Sequence, residues 1–98
     1  MEVAEFLETI QNAILPIINY IESGQHEAAL EEYRNKIGVV NGFVEFLVEN
    51  QVVNEEDIKQ MLELLIQALE NKDVFLLEDI LKYAILDIIS QLKGDEKE

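Results

Sequence analysis

The chain reads as an all-α protein, an antiparallel four-helix bundle made of two related helical hairpins, and three observations predict this. Apolar residues recur at alternating steps of four and three along four long stretches, the spacing that gathers them on one helix face. The chain also resembles itself at an offset of 48 positions. Ile10, Ile14, Ile17, Ile18 and Ile21 fall on Ile58, Leu62, Leu65, Ile66 and Leu69, and beyond a turn Ala28, Ala29, Ile37, Val40 and Val44 fall on Leu76, Leu77, Ile85, Ile88 and Leu92. Finally, no strand pattern competes, because β-branched pairs such as Val39-Val40 sit inside helical spacing. One amphipathic hairpin cannot hide its own stripe, whereas two can cover each other.

The first helix is expected over about 2–23. Val3, Leu7, Ile10, Ile14, Ile17 and Ile21 form its seam, widened by Phe6, Ala13 and Tyr20. Pro16 lies on the outer side; without an amide hydrogen it should kink the helix or open its third turn. Gly24 supplies a stop. The second helix, about 25–50, carries Leu30, Tyr33, Ile37, Val40, Val44 and Leu47, with His26 at its start. Gly38 and Gly42 weaken it by about 1 kcal/mol each relative to alanine. Their missing side chains would let a neighbouring helix come close, or would make a hinge or a ligand groove.

The third helix, about 55–71, has the clearest start. Asn54 can cap it, Glu55, Glu56 and Asp57 match the positive end of its dipole, and Val53 and Ile58 are spaced as a hydrophobic staple. Its seam is Ile58, Leu62, Leu65 and Leu69, flanked by Met61, Ile66 and Ala68. Asn71-Lys72-Asp73 forms a turn, with Asp73 the cap of the fourth helix over about 74–93. Gly94 ends that helix, which closes a single domain over 1–94 and leaves 95–98 as an acidic frayed tail. All connections are short, so consecutive helices should lie antiparallel.

The fourth helix is the most apolar. Leu77, Leu81, Ile85, Ile88 and Leu92 make its seam, while Phe75, Leu76, Ile80, Tyr83, Leu86 and Ile89 carry hydrophobicity around much of the cylinder. Because one buried stripe suffices in a small bundle, either this helix is central or its second face meets another molecule. The candidate interface residues are therefore Phe75, Tyr83, Leu86 and Ile89, with Tyr83 foremost because it lies off the seam.

Composition narrows the function classes. A chain of 98 residues, 49% of them apolar, buries roughly two-thirds of its unfolded surface and needs no metal or disulfide to fold. The absence of cysteine removes thiol catalysis and thiolate metal ligation together. A net charge of −14 repels phosphate backbones and anionic lipids, so neither nucleic acid nor membrane is an expected partner. That charge reads as a solvated acidic surface, as a docking face for a basic partner, or as mimicry of nucleic acid. The N-terminus has no basic segment before an apolar run, and the longest uncharged stretch, 9–21, is too short to cross a bilayer. A cytoplasmic protein is expected.

No catalytic constellation emerges. His26 is the only histidine, which fails the two Glu-x-x-His pairs of a di-iron bundle, and the four glycines build no phosphate-cradling loop. Glu31-Glu32 and Glu55-Glu56-Asp57 resemble magnesium sites only in charge. Glu27, Glu31, Asp79 and Asp87 could face one another as a hydrolase's paired carboxylates only by displacing the apolar seams. The expectation is no catalytic residue, no metal and no cofactor.

The run from Asn71 to Leu86 resembles a segment of small, uncharacterised bacterial helical proteins, with the pattern Asp-Tyr-Val-Leu-Leu-x-Asp-Leu-Leu-x-Tyr-Glu-Leu-Leu-Pro. Asp73, Leu76, Leu77, Asp79, Leu81, Tyr83 and Leu86 match it, while Val74, Phe75, Ala84 and Asp87 depart from it. The resemblance implies a small all-helical domain of unknown function and no catalytic residue. The functional expectation is a non-enzymatic protein–protein interaction module (adaptor, regulator or scaffold) that self-associates as a homodimer through the last helix. The alternative is an acidic inhibitor or immunity-type protein that occupies a basic cleft of a toxin or nucleic-acid enzyme.

Overall fold

A computed structural model of the chain describes residues 3–96, and every regular element among them is helical, with no strand. In chain order these are α1 (Val3–Glu22), α2 (His26–Asn35), α3 (Ile37–Glu49), α4 (Glu55–Glu70), α5 (Val74–Ile80), a π-helical segment (Leu81–Leu86) and α6 (Asp87–Glu96). No helix is long and apolar enough among the described residues to cross a membrane.

The apolar stripes meet in one continuous core. Leu7, Ile10, Ile14, Ile17 and Ile21 of α1 are buried together with Leu30, Tyr33, Val40, Phe43 and Leu47 of α2 and α3. Ile58, Met61, Leu65 and Ala68 of α4 join them, as do Val74, Leu77, Leu81, Ile85 and Ile89 of the last arm. Helix α1 packs against α2 and α3 and also against α5, the π segment and α6. Helix α5 in turn packs against α1, α2 and α4, so three neighbours cover much of the apolar excess of the last arm.

Two polar ties fix the register between α1 and that arm. Lys82 Nζ donates to Glu22 Oε2 at 2.6 Å, and Lys93 Nζ donates to Gln11 Oε1 at 2.6 Å. The contacts are eleven residues apart on each helix and run in opposite senses, so the arm descends antiparallel to α1 without slipping.

Three turns share one geometry. After α1, Gln25 N donates to Tyr20 O and Gly24 N to Ile21 O, with Gly24 at φ +81°; this double bond pattern is a Schellman cap. After α4, Asp73 N donates to Ala68 O and Lys72 N to Leu69 O, with Lys72 at φ +53°. After α3 the same pair runs from Val52 to Leu47 and from Gln51 to Val48, with Gln51 at φ +53°. Asn54 caps α4 by accepting from Asp57 N at 2.9 Å, and Asp73 caps α5 by accepting from Leu76 N at 3.1 Å, both as the side-chain chemistry requires.

The structure corrects the expected helices in several places. The second stretch is two helices, because Lys36 leaves the helical region at ψ 6° before α3 resumes. A β-branched and glycine-containing sequence follows it, which resists a continuous helix. Helix α1, by contrast, continues unbroken through Pro16. Both Pro16 and Asn12, whose carbonyl loses its helical partner, are exposed, so water can take that acceptor. No neighbouring helix approaches Gly38 or Gly42: a Cβ added at either would meet nothing within 4 Å. Gly94 does not end the last arm, since α6 runs through it to Glu96; the rest of the expected tail, 97–98, lies outside the described residues.

The largest correction is the π segment, which the alternating four-and-three spacing did not foresee. Its i→i+5 bonds widen the turn. An α-helix advances about 40° past a full circle in four residues, whereas the wider π turn falls short of one, so the two drifts offset each other. Residues spaced by four therefore stay aligned along the arm. Leu77, Leu81, Ile85 and Ile89 are all buried, while the expected seam residues Ile88 and Leu92 are only half-buried.

Candidate interaction surface

The wide turn that aligns the core stripe aligns its opposite. Positions two residues away from Leu77, Leu81, Ile85 and Ile89 lie roughly half a turn around the helix. These are Phe75, Asp79, Tyr83 and Asp87, and all four are exposed. Phe75 is 62% and Tyr83 73% exposed, the two largest values among the big apolar side chains of the described residues.

The four candidate interface residues are not brought together as expected. Phe75 and Tyr83 stand on the outer stripe and Leu86 is half-buried. Ile89 is a core residue at 2% exposure, because the π turn rotates it inward. The stripe instead contains Asp79 and Asp87, which the sequence places among the charges of the last helix and not among its interface residues. A signal for it was present in the sequence: an unbroken four-residue spacing of Leu77, Leu81, Ile85 and Ile89, with Phe, Asp, Tyr and Asp at the same spacing between them.

Local contacts set the stripe's borders. The His26 ring meets Phe75 edge-on, with centroids 5.4 Å apart, so the start of α2 supports the aromatic at the turn end. On the side facing α1, Lys82 binds Glu22 at 2.6 Å and Glu78 at 3.6 Å. The hydrogen bond that Lys82 donates to Glu22 is the chief cause that raises the Lys82 pKa above its ordinary value; desolvation opposes it, and the charges of Glu22 and Glu78 add to it. Lys82 is thus already matched by two carboxylates. Asp87 accepts a hydrogen bond from Gln91 Nε2 at 2.9 Å, and neither Asp79 nor Asp87 has an ion-pair partner among the described residues.

The remaining chemistry-bearing residues are dispersed. Glu27 and Glu31 line a shallow cleft with Leu30, Arg34 and Lys72, where two cations stand beside them. No group of three or more His, Cys, Asp or Glu is placed to hold a metal ion among the described residues. No polar or charged side chain of the described residues is buried. Tyr33 lies in the core, and burial raises its pKa.

Fold and surface together define an all-helical chain whose most exposed aromatic side chains share one helix face with unpaired carboxylates. The chain belongs to the family described as a domain of unknown function, DUF8042, whose pattern matches residues 1–95. Comparison with curated proteins gave no match, and comparison with solved structures gave none either.

Proposed function

We propose that the chain is a non-enzymatic helical protein–protein interaction module, with its docking face on the outer side of α5 and the π segment. The observation that carries this reading is the exposure of Phe75 and Tyr83 on one face, opposite a fully buried stripe. Large aromatic side chains are the residues that most often anchor protein interfaces, since they bury much area at little entropic cost.

The frame for this face is an antiparallel arrangement of four helical arms made from two related hairpins. Its support is the repetition of detail at the 48-residue offset. Glu22 and His26 bound the first turn as Glu70 and Val74 bound the second, and the three cap hydrogen bonds from Ser23, Gly24 and Gln25 recur from Asn71, Lys72 and Asp73. Even the irregularities correspond: Lys36, where the first return arm breaks, falls on Ala84 in the π segment. The segment 73–86, which carries the family-like pattern, coincides with α5 and the π turn.

A different protein suits this face better than a second copy. Two-fold pairing would bring together two stripes of the same negative charge, and Lys82, the one cation between Phe75 and Asp87, is already held by Glu22 and Glu78. The test is affinity capture from native lysate with the wild-type chain and with a Phe75→Ala/Tyr83→Ala variant, beside light scattering of both. A partner held by the wild type and lost by an equally stable variant is expected. Equal capture by both proteins would sink the reading.

A further inference from the structure

We infer that the outer stripe of α5, the π segment and α6 docks a cationic amphipathic helix, one that presents lysine or arginine at successive turns. This rests on the interaction-module reading and adds to it the chemistry of the partner.

Alternation along the stripe carries the argument. Phe75, Asp79, Tyr83 and Asp87 set aromatic and carboxylate side chains in turn, one helical turn apart, all exposed. A purely apolar partner would bury Asp79 and Asp87 without compensation, which is costly for a charged group. A purely ionic partner would leave Phe75 and Tyr83 unused. Lysine and arginine satisfy both demands, because their methylene stems pack on rings while their charged heads reach carboxylates. Guanidinium groups add stacking on the ring face and a two-pronged grip on a carboxylate.

Charge complementarity selects this occupant over the others. The chain carries −14 overall, and Lys82, the one cation in the stretch from Phe75 to Asp87, is held by Glu22 and Glu78 on the α1 side. The approaching partner therefore meets a negative field with no local relief, which steers cations and repels nucleic acid, anionic lipid and a second copy. From Phe75 to Asp87 the stripe is about 18 Å long, so a partner helix of roughly four turns covers it. The π turn is what makes the face straight enough for such a helix; in a plain α-helix the four side chains would wind away around the cylinder.

The experiment uses the full chain and a fluorescently labelled synthetic amphipathic helix of about 18 residues, with lysine or arginine at every fourth position, leucine beside them on the same face and glutamine on the opposite face. Fluorescence anisotropy should show saturable binding that weakens with added salt. Phe75→Ala/Tyr83→Ala and Asp79→Asn/Asp87→Asn should each weaken it about tenfold, with thermal melting unchanged. Glu45→Gln/Glu49→Gln, which removes the same charge from exposed positions on α3, should leave affinity within about twofold. Equal loss from the α3 variant would show diffuse charge attraction and overturn the inference. So would an absence of binding, or a wild-type dimer dissolved by Phe75→Ala/Tyr83→Ala. If capture from lysate depends on Phe75 and Tyr83 but the cationic helix does not bind, the partner chemistry is wrong and the interaction module stands.

Discussion

Lys72 shows how one side chain carries a conformational cost that its counterpart avoids. Gly24 and Lys72 occupy the same step of the same helix cap, at φ +81° and +53°. Glycine adopts this region freely, whereas a side chain there is strained by roughly 1 kcal/mol or more. Lys72→Gly should therefore raise stability by about 0.5–1 kcal/mol, after allowing for the greater freedom of glycine in the unfolded chain. Gly24→Lys should lower it by a similar amount, even though nothing crowds the site. Chemical denaturation of the two variants checks both signs, and a stabilised Gly24→Lys protein would refute the account.

Tyr33 supplies the pH dependence at the same scale. Burial raises its pKa above the model-compound value of 10.0, so the folded state holds the phenolic proton more tightly than the unfolded state. Its favourable contribution is full below pH 10 and is lost as pH climbs through the higher folded value. Lys82, whose pKa is also raised, acts in the same direction. Stability should fall on raising the pH beyond 10, and Tyr33→Phe should make that fall shallower in denaturation curves taken between pH 8 and 11.

Among the elements, α3 is the weakest by composition. Gly38 and Gly42 lie inside a helix and leave open space where a Cβ would go. Close packing therefore does not explain them. Alanine at either site keeps the helical backbone and restricts only the unfolded chain, so each substitution should add roughly 0.5–1 kcal/mol. Thermal melting of Gly38→Ala/Gly42→Ala should move upward; a downward shift would mean that α3 must bend or open there. The π segment is the second element with a consequence. It converts a four-residue apolar spacing into a straight buried stripe and a straight exposed one, placing Ile89 inside and Tyr83 outside.

For the whole molecule, α1 is the element that packs against both return arms. Ile14 is fully buried in it, and Ile14→Ala should cost about 2–5 kcal/mol, with the core unable to close over the lost volume. Equilibrium denaturation measures this directly, and a cost under about 1 kcal/mol would show that the two arms do not share one interior.

Chain order alone determined the helical class, the turns at Gly24 and Asn71-Lys72-Asp73, the caps at Asn54 and Asp73, and most of the buried face. Each follows from local chemistry or from a period that survives any packing. The break at Lys36, the inward rotation of Ile89 and the outward alignment of Phe75 with Asp79, Tyr83 and Asp87 belong to the tertiary structure. A helix with apolar residues around most of its circumference can turn several faces inward. Only the neighbours α1, α2 and α4 decide which, and the wide turn at 81–86 records their choice.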